Sequence, residues 1–306
     1  MAHELILHHY WRSPYSERVR KYLAMKGVNW RSVETPNMLP KPDLIILAGG
    51  YRKAPVLQIG ANIFCDSQII LREIERRFPN PALVGNASEY GICYWIDRAV
   101  YVPTISLLFG LFGDRFPADF VEDRERMFPD RSFDFKKLKE TVPQLRDQWR
   151  SYTDFIHEQL RDGRKFLTGD RPRALDAACC MNIRLIAQTA PGIADPVLAE
   201  FPRIAPWLET IEALGQSSFL PMEAGEALRI ARNAEPDIAR KSDPSDPNGL
   251  EAGMRVSVVA ADYGRDEVLG ELIFSDAREI AIQRVDPQLG AVVVHFPRAG
   301  YNVSRT

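Results

Sequence analysis

The chain has 306 residues, of which 45% are hydrophobic and 26% charged, and its formal net charge is −2. This composition is typical of a folded globular protein. The length is sufficient for two or three domains, each with its own core. The near-neutral charge and the lack of a long basic run argue against nucleic acid as the main partner. The longest uncharged apolar stretch, Ala99 to Gly113, is shorter than the roughly 20 residues of a membrane-spanning helix, which favours a buried helix and no membrane partner.

The N-terminal residues lack the basic-then-apolar order of a secretory signal, so we expect a cytoplasmic protein. The cysteines are interpreted as reduced thiols, because no pair has the Cys-x-x-Cys spacing and two of them are adjacent. They are Cys65, Cys93, Cys179 and Cys180. The histidines are scattered, and His8 and His9 would lie on opposite faces of a strand, so the sequence predicts no metal site.

The first 80 residues alternate between short apolar runs and helical patterns. The predicted elements are a strand at 4–10, a helix at 15–26, strands at 30–34, 56–59 and 63–64, and a helix that begins at Asp66 and Ser67. The stop at Gly27 and the two capping residues are ordinary helix boundaries. This βαβ order followed by ββα is typical of a thioredoxin-like domain, to which we assign residues 1–82.

Residues 88–232 predict an all-helical domain. Apolar residues recur at helical spacing from Leu138 to Leu160, and Leu175–Gln188 is apolar at most positions, as expected at the centre of a bundle. Phe201–Leu214 predicts a further helix. The segment Asp114–Phe135 is rich in charge, phenylalanine and proline, and predicts an irregular insertion between helices.

The pattern changes after residue 232. Residues 233–249 are rich in proline, glycine and acidic side chains and predict a linker. Beyond them the hydrophobic period becomes two, with predicted strands at 255–260, 268–274, 279–285 and 291–296. Residues 250–306 therefore predict a small all-β, barrel-like C-terminal domain. The predicted fold class is an α/β thioredoxin-like domain, an all-α bundle and this β domain.

The turn between the first strand and the first helix carries Ser13 and Ser16, three residues apart. A thiol-redox fold has its Cys-x-x-Cys at this place. A hydroxyl cannot form a disulfide, but it can donate a hydrogen bond to the thiolate of a bound ligand, and the start of a helix favours an anion. Ser13 fits equally well as a plain helix N-cap, so these residues alone leave both roles open.

Several short motifs, in this order along residues 4 to 215, resemble those of the cytosolic glutathione S-transferases. They are Ser13-Pro14-Tyr15-Ser16, Lys53-Ala54-Pro55-Val56-Leu57, Asp66-Ser67, and Phe166-Leu167-Thr168-Gly169-Asp170 followed by Asp176. The resemblance implies a transferase of the serine type, similar to bacterial members, with glutathione as co-substrate and no metal. It also implies a small electrophile as second substrate and a homodimer as the assembly.

In the family's serine-type classes, the residue that matches Ser13 donates a hydrogen bond to the glutathione sulfur. Tyr10 is the rival donor, because other classes use a tyrosine in the first strand. The resemblance also implies an acceptor pocket for the electrophile. Its candidate residues are Tyr10, Trp11, Tyr94, Arg98 and Tyr101. Ordinary packing between domains explains the last three equally well.

The resemblance further implies which residues hold the tripeptide. A cis bond before Pro55 would turn the Ala54 backbone outward to pair with the cysteinyl part of glutathione. Asp66 and Ser67 would bind the γ-glutamyl end. The hydroxyl of Ser67 and the backbone N–H groups suit its carboxylate, and Asp66 suits its ammonium. Lys53 is a candidate for the glycyl carboxylate, or is simply solvated.

The chain also departs from the family pattern. Arg173 stands three residues before Asp176, where the family usually has serine or threonine, and the turn at 49–52 lacks the usual Asn-Pro. The β segment after Gly249 has no counterpart in the common two-domain form. These departures motivate an alternative function, a non-catalytic module of the same fold that serves protein interaction.

Overall fold

The computed structural model describes residues 4–128, 134–236 and 240–306. The described residues form two compact units. A sheet unit takes residues within 1–16, 29–73 and 218–306, and a helical unit takes residues within 17–28 and 74–217. The sequence-based division into 1–82, 88–232, 233–249 and 250–306 differs from this grouping, because the C-terminal segment joins the N-terminal strands in one unit.

All the strands of the described residues belong to one sheet. They are β1 (Ile6–His9), β2 (Trp30–Glu34), β3 (Val56–Ile59), β4 (Asn62–Cys65), β5 (Phe219–Pro221), β6 (Arg255–Ala260), β7 (Val268–Ser275), β8 (Glu279–Asp286), β9 (Gly290–Pro297) and β10 (Tyr301–Arg305). The order across the sheet is β10-β6-β7-β8-β9-β4-β3-β1-β2-β5. Within it, β1 is parallel to β2 and antiparallel to β3, which is antiparallel to β4, as the thioredoxin-like prediction requires.

The predicted C-terminal β region is present, but it is not a separate barrel. Strand β9 runs parallel to β4, with Asn62 opposite Val293 and Phe64 opposite His295, so the C-terminal strands extend the N-terminal sheet. Strand β10, which was not predicted from the sequence, pairs antiparallel with β6. The two halves share one buried apolar cluster, in which Ile63 of β4 packs with residues such as Ile282 of β8. Burial of this common face is what joins them.

The helices of the described residues belong to both units. They are α1 (Pro14–Lys26), α2 (Pro42–Ala48), α3 (Ser67–Arg77), α4 (Ala87–Trp95), α5 (Tyr101–Phe112), α6 (Ala118–Arg126), α7 (Phe135–Glu140), α8 (Val142–Gln159), α9 (Ala174–Thr189), α10 (Pro191–Glu200), α11 (Ile204–Glu212) and α12 (Ala224–Arg232). Helices α2 and α12 belong to the sheet unit, as does β5, although α12 and β5 lie within residues 88–232, which were predicted to form the helical domain. Helices α1 and α3 begin in the sheet unit and continue into the helical unit.

The segment predicted as an irregular insertion contains helix α6, so that prediction was wrong for Ala118–Arg126. Its phenylalanines supply the reason. Phe116 and Phe120 gather with Phe135 around Phe109 of α5, and this aromatic cluster gives the charged segment an apolar surface to fold against. Residues 129–133 of the segment lie outside the described residues, as do residues 237–239 of the predicted linker.

Helical turns run without a break from Ala87 to Arg115. By length and composition this run could cross a membrane, because the helix extends well beyond the uncharged apolar stretch at 99–113. More than half of its most apolar part is buried inside the protein, which is typical of the core helix of a bundle. A π-helical segment, Ile96–Val100, interrupts it where Asp97 accepts from the buried Arg18 at 2.7 Å.

Candidate functional site

The register of the sheet brings three predicted site segments to one end. His8 of β1 lies opposite Val56 of β3, and Val56 lies opposite Cys65 of β4. The segments that follow β1, precede β3 and follow β4 therefore lie at the same end of the sheet. They carry Ser13, Pro55 and Asp66.

Ser13 caps helix α1. Its Oγ accepts a hydrogen bond from the backbone N–H of Ser16 at 3.1 Å, and its own N–H donates to the carbonyl oxygen of Tyr10 at 3.1 Å. The residue is 2% exposed. A hydroxyl that accepts one hydrogen bond retains its proton for a second partner, and none of the described residues accepts that proton. The N-cap role and the role of donor to a ligand are therefore compatible at this residue.

Two further predicted residues lie just before Ser13. The ring of Tyr10 is half-buried, and the ammonium of Lys41 lies 5.5 Å from its centroid. Trp11 is 40% exposed, and its ring packs edge-on against His9 with centroids 4.9 Å apart. Trp11 therefore presents much of its surface to a ligand or to solvent, whereas Tyr10 packs beneath a cation.

The Ala54–Pro55 peptide bond is cis, as the resemblance implied. Pro55 is buried, and Ala54 is partly exposed just before β3 begins. Among the described residues, neither the N–H nor the carbonyl oxygen of Ala54 has a hydrogen-bond partner. These two groups are available for strand-like pairing with an extended peptide ligand.

Asp66 has an unusual backbone at the start of helix α3. Its φ is 94°, and within the described part of the chain it is the only residue other than glycine with a positive φ. Its Oδ1 accepts from the N–H of Gln68 at 2.8 Å, which caps the helix. Ser67 follows as the first residue of α3 and is buried. Such a conformation costs about 1–3 kcal/mol and is concentrated at ligand sites.

The side chain of Asp66 also contacts the C-terminal strands. Its Oδ2 lies 3.1 Å from the hydroxyl of Tyr301, and that hydroxyl lies 3.3 Å from the hydroxyl of Tyr51. Burial raises the pKa of both phenols well above the ordinary value, and the negative charge of the Asp66 carboxylate is the second cause of this increase. Both hydroxyls therefore stay protonated and can donate.

The ammonium of Lys53 is surrounded by residues of the C-terminal segment, from the loop between β6 and β7 and from β10. Its Nζ donates to the carbonyl oxygen of Tyr263 at 3.1 Å and lies 3.5 Å from Oδ1 of Asp262. The Nζ atom is also 4.9 to 5.6 Å from the centroids of the rings of Tyr51, Tyr263 and Tyr301. The side chain is 11% exposed. A ligand carboxylate at Lys53 would share the ammonium with Asp262.

The other acceptor-pocket candidates belong to the helical unit. Tyr94 lies on α4, Arg98 in the π-helical segment, and Tyr101 at the start of α5, each partly exposed. The guanidinium of Arg98 lies 5.0 Å from the centroid of the Tyr94 ring. This contact holds the side chains of Tyr94 and Arg98 against each other.

The motif before helix α9 folds around Asp176. Its carboxylate accepts from the backbone N–H groups of Leu167 and Arg173, each at 2.9 Å, and from the indole N–H of Trp207 at 3.0 Å. The backbone of Arg173 is thus capped by Asp176 even though arginine replaces the usual hydroxyl residue. Burial raises the pKa of this carboxyl group.

Known proteins resemble both the sequence and the fold. Residues 7–82 match the family model for the N-terminal domain of glutathione S-transferases. A GST-like protein from Pseudomonas syringae has 35% identity, both chains are covered in full, and the TM-score is 0.82. The chain belongs to the glutathione S-transferase family. Glutathione S-transferase U3 of Arabidopsis thaliana is 24% identical over 208 residues, which are 67% of this chain and 82% of that relative. A tau class enzyme from mango shares the fold, with 19% identity over 69% of this chain and 89% of its own, and a TM-score of 0.52.

In this member of the glutathione S-transferase family, four residues that the motifs did not indicate also lie at the candidate site. They are Tyr51, Asp262, Tyr263 and Tyr301. No local pattern marks the last three, because they reach Lys53 and Asp66 only through the pairing of β9 with β4. The alternation of polar and apolar residues in Tyr301-Asn302-Val303-Ser304 is the one signal that could have predicted strand β10. No group of three or more His, Cys, Asp or Glu side chains in the described part of the chain is placed to hold a metal ion.

Proposed function

We propose that the protein is a glutathione transferase of the serine type, in which Ser13 donates a hydrogen bond to the glutathione thiolate. The observation that supports the proposal is that three groups lie at the same end of the sheet. They are a serine hydroxyl whose proton is free to be donated, a cis-proline segment with unpaired backbone groups, and an aspartate with a positive φ. These are three different kinds of group, and each suits one part of a γ-glutamyl tripeptide.

The Ser13 hydroxyl would act by favouring the thiolate over the thiol. A free cysteine-type thiol has a pKa near 8.5, so only a few per cent is ionised at neutral pH. A reduction of the pKa by about 2 units needs roughly 2.7 kcal/mol of differential stabilisation. One hydrogen bond to an anion, together with the N-terminus of α1, supplies an amount of this order.

The rest of the tripeptide would follow the end of the sheet. The unpaired backbone groups of Ala54 would pair with the cysteinyl residue. Ser67 and the start of α3 would receive the γ-glutamyl carboxylate, and Asp66 would receive the adjacent ammonium. Lys53 would bind the glycyl carboxylate through the donor that Asp262 and Tyr263 leave unused.

In the reaction, the thiolate sulfur would form a bond to an electrophilic carbon while the leaving group departs with its bonding electron pair. The thiol proton would pass to solvent. The acceptor-pocket residues stay a prediction from the family resemblance, with Tyr10 and Trp11 in the sheet unit and Tyr94, Arg98 and Tyr101 in the helical unit. The free cysteines are compatible with a reducing compartment. We expect a homodimer, which the mass in solution would test.

The decisive experiment titrates the thiolate of bound glutathione by its ultraviolet absorbance in wild type, Ser13→Ala, Ser13→Asp and Tyr10→Phe. We expect the pKa of bound glutathione to rise by about 2 units in Ser13→Ala, with a conjugation rate roughly 100-fold lower. Ser13→Asp keeps a good N-cap but cannot donate, so it should fold and be equally inactive. Loss of activity in Tyr10→Phe instead would make Tyr10 the donor.

A second candidate function is the non-catalytic interaction module. The contacts that already engage Lys53 and Asp66 favour it, because a ligand must share both side chains with the C-terminal strands. Wild-type protein that is not retained on immobilised glutathione and conjugates no electrophile would support this function. Retention with activity that depends on Ser13 would exclude it.

A further inference from the structure

The last strand of the chain contributes a hydrogen-bond donor to the predicted glutathione site. The hydroxyl of Tyr301 lies between Oδ2 of Asp66 and the hydroxyl of Tyr51, at 3.1 and 3.3 Å. A phenol has one proton and can also accept a hydrogen bond. Because the Asp66 carboxylate can only accept, Tyr301 donates its one proton to Asp66. The hydroxyl of Tyr51 then donates to that of Tyr301.

These contacts fix the plane of the Asp66 carboxylate. One oxygen accepts from the N–H of Gln68 at 2.8 Å, and the other accepts from Tyr301. Each carboxylate oxygen accepts about two hydrogen bonds, so each keeps one position for a ligand. Without Tyr301, only the bond to Gln68 would restrain rotation about the Cβ–Cγ bond of Asp66.

Tyr301 itself is held firmly. It is 7% exposed, and its ring packs against Phe296 with centroids 5.3 Å apart. Its backbone pairs with Ala260 in the register of β10 and β6. The donor is therefore preorganised by the C-terminal sheet, so its contact with Asp66 costs little additional ordering when a ligand binds.

We propose that Tyr301 is a positioning residue that orients the Asp66 carboxylate toward the ammonium of a γ-glutamyl ligand, so that the C-terminal sheet completes the glutathione site. This inference rests on the proposed function, because Asp66 must bind the γ-glutamyl amino group. It adds a role for residues 250–306 in recognition of the ligand. The class of ligand recognised is an α-amino acid end, with its ammonium and carboxylate on one carbon.

The test measures binding of two unreactive probes by calorimetry. One is S-methylglutathione, and the other is S-methylated glutaryl-cysteinyl-glycine, which lacks only the γ-glutamyl amino group. We expect Tyr301→Phe to weaken S-methylglutathione binding by roughly tenfold, because the hydrogen bond removed is made to a charged group. The same variant should bind the probe without the amino group as tightly as wild type does.

Asn302→Ala is the control on the same strand. Asn302 follows Tyr301 in β10 and is exposed, so its replacement leaves Tyr301 able to donate to Asp66. We expect the affinity of Asn302→Ala for S-methylglutathione to stay within about twofold of wild type. A purely structural role of Tyr301 would weaken both probes equally in Tyr301→Phe, and that result would overturn the inference.

The outcomes separate this inference from the proposed function. If wild type binds S-methylglutathione and Tyr301→Phe binds it equally well, the positioning role is wrong while the glutathione site stands. If wild type binds neither probe, the proposed function fails, and the inference fails with it.

Discussion

The hydroxyl of Tyr301 donates to Oδ2 of Asp66 across 235 positions of the chain, at 3.1 Å. Asp66 lies at the start of α3, in the part of the chain that matches the glutathione S-transferase N-terminal domain. Tyr301 lies on β10, far beyond that match. A change of the C-terminal strands that displaces Tyr301 therefore removes a contact of a side chain that the family resemblance assigns to glutathione.

Replacement of Asp66 should separate stability from ligand binding. An asparagine side chain tolerates a positive φ and can still cap Gln68, so we expect Asp66→Asn to change the free energy of unfolding by less than about 0.5 kcal/mol. The neutral amide cannot pair with an ammonium, and glutathione binding should weaken roughly tenfold. Asp66→Ala should lose the cap as well and cost about 1–2 kcal/mol. Urea unfolding and calorimetry measure the two effects, and unchanged affinity in the asparagine variant would remove Asp66 from the site.

The contact between Lys53 and Asp262 should be detectable as a coupling energy. Lys53→Met keeps an apolar chain against the tyrosine rings but removes the charge, and Asp262→Asn removes the opposite charge. Both side chains are largely buried, so we expect a coupling of about 1 kcal/mol between the two substitutions. The free energies of unfolding of the two single variants and the double variant in urea give this value. Additive effects would show that the aromatic rings, and not Asp262, hold the ammonium.

His8 should make the protein less stable in mild acid. Its Nε2 is hydrogen-bonded to Oε1 of Gln58 at 2.9 Å, and burial lowers the pKa of the His8 imidazole in the folded protein from 6.5 to about 4. Between these values the unfolded chain binds more protons than the folded chain, so stability is complete above pH 6.5 and falls as the pH drops toward 4. The contribution of His8 to this loss is about 3 kcal/mol. Urea unfolding at several pH values should show a flatter profile in His8→Asn, and an equally steep profile would contradict the assignment.

Two helical glycines of the helical unit should respond to alanine with opposite signs. A β-carbon at Gly91 of α4 meets no atom within 4 Å, so Gly91→Ala should stabilise the fold by about 0.5–1 kcal/mol through helix propensity. A β-carbon at Gly110 of α5 would lie 2.6 Å from the carbonyl oxygen of Leu138, so Gly110→Ala should destabilise it by about 1–3 kcal/mol. Thermal unfolding of the two variants checks both signs. A stabilised Gly110→Ala would mean that α7 moves away from α5 at little cost.

The sequence predicted local structure well where the signal is local. The strand Trp30–Glu34 and the strand Arg255–Ala260 have the predicted bounds, and the cis bond before Pro55 is present. Turn residues, caps and period-two alternation act over a few positions, so a single sequence contains them.

What the sequence did not predict depends on pairing between distant segments. The parallel pairing of β4 with β9 has no local pattern, because the alternation of a strand does not specify its neighbour. For this reason Asp262, Tyr263 and Tyr301 were not connected with Lys53 and Asp66. The division of the chain into units follows from the same pairing. Helix α12 joins the sheet unit for another reason, because β5 pairs with β2 and Ala227 of α12 packs with Ile6 and Val33.

The pairing of β4 with β9 also sets the order in which the protein can fold during synthesis. Asn62 leaves the ribosome long before its partner Val293, so the apolar face around Ile63 lacks part of its cover until translation is nearly complete. Chains exposed in this way are prone to aggregate, and contacts so distant in sequence form slowly. A chain that stops before residue 250 would thus keep every glutathione motif and still lack the residues that cover Ile63 and contact Lys53 and Asp66.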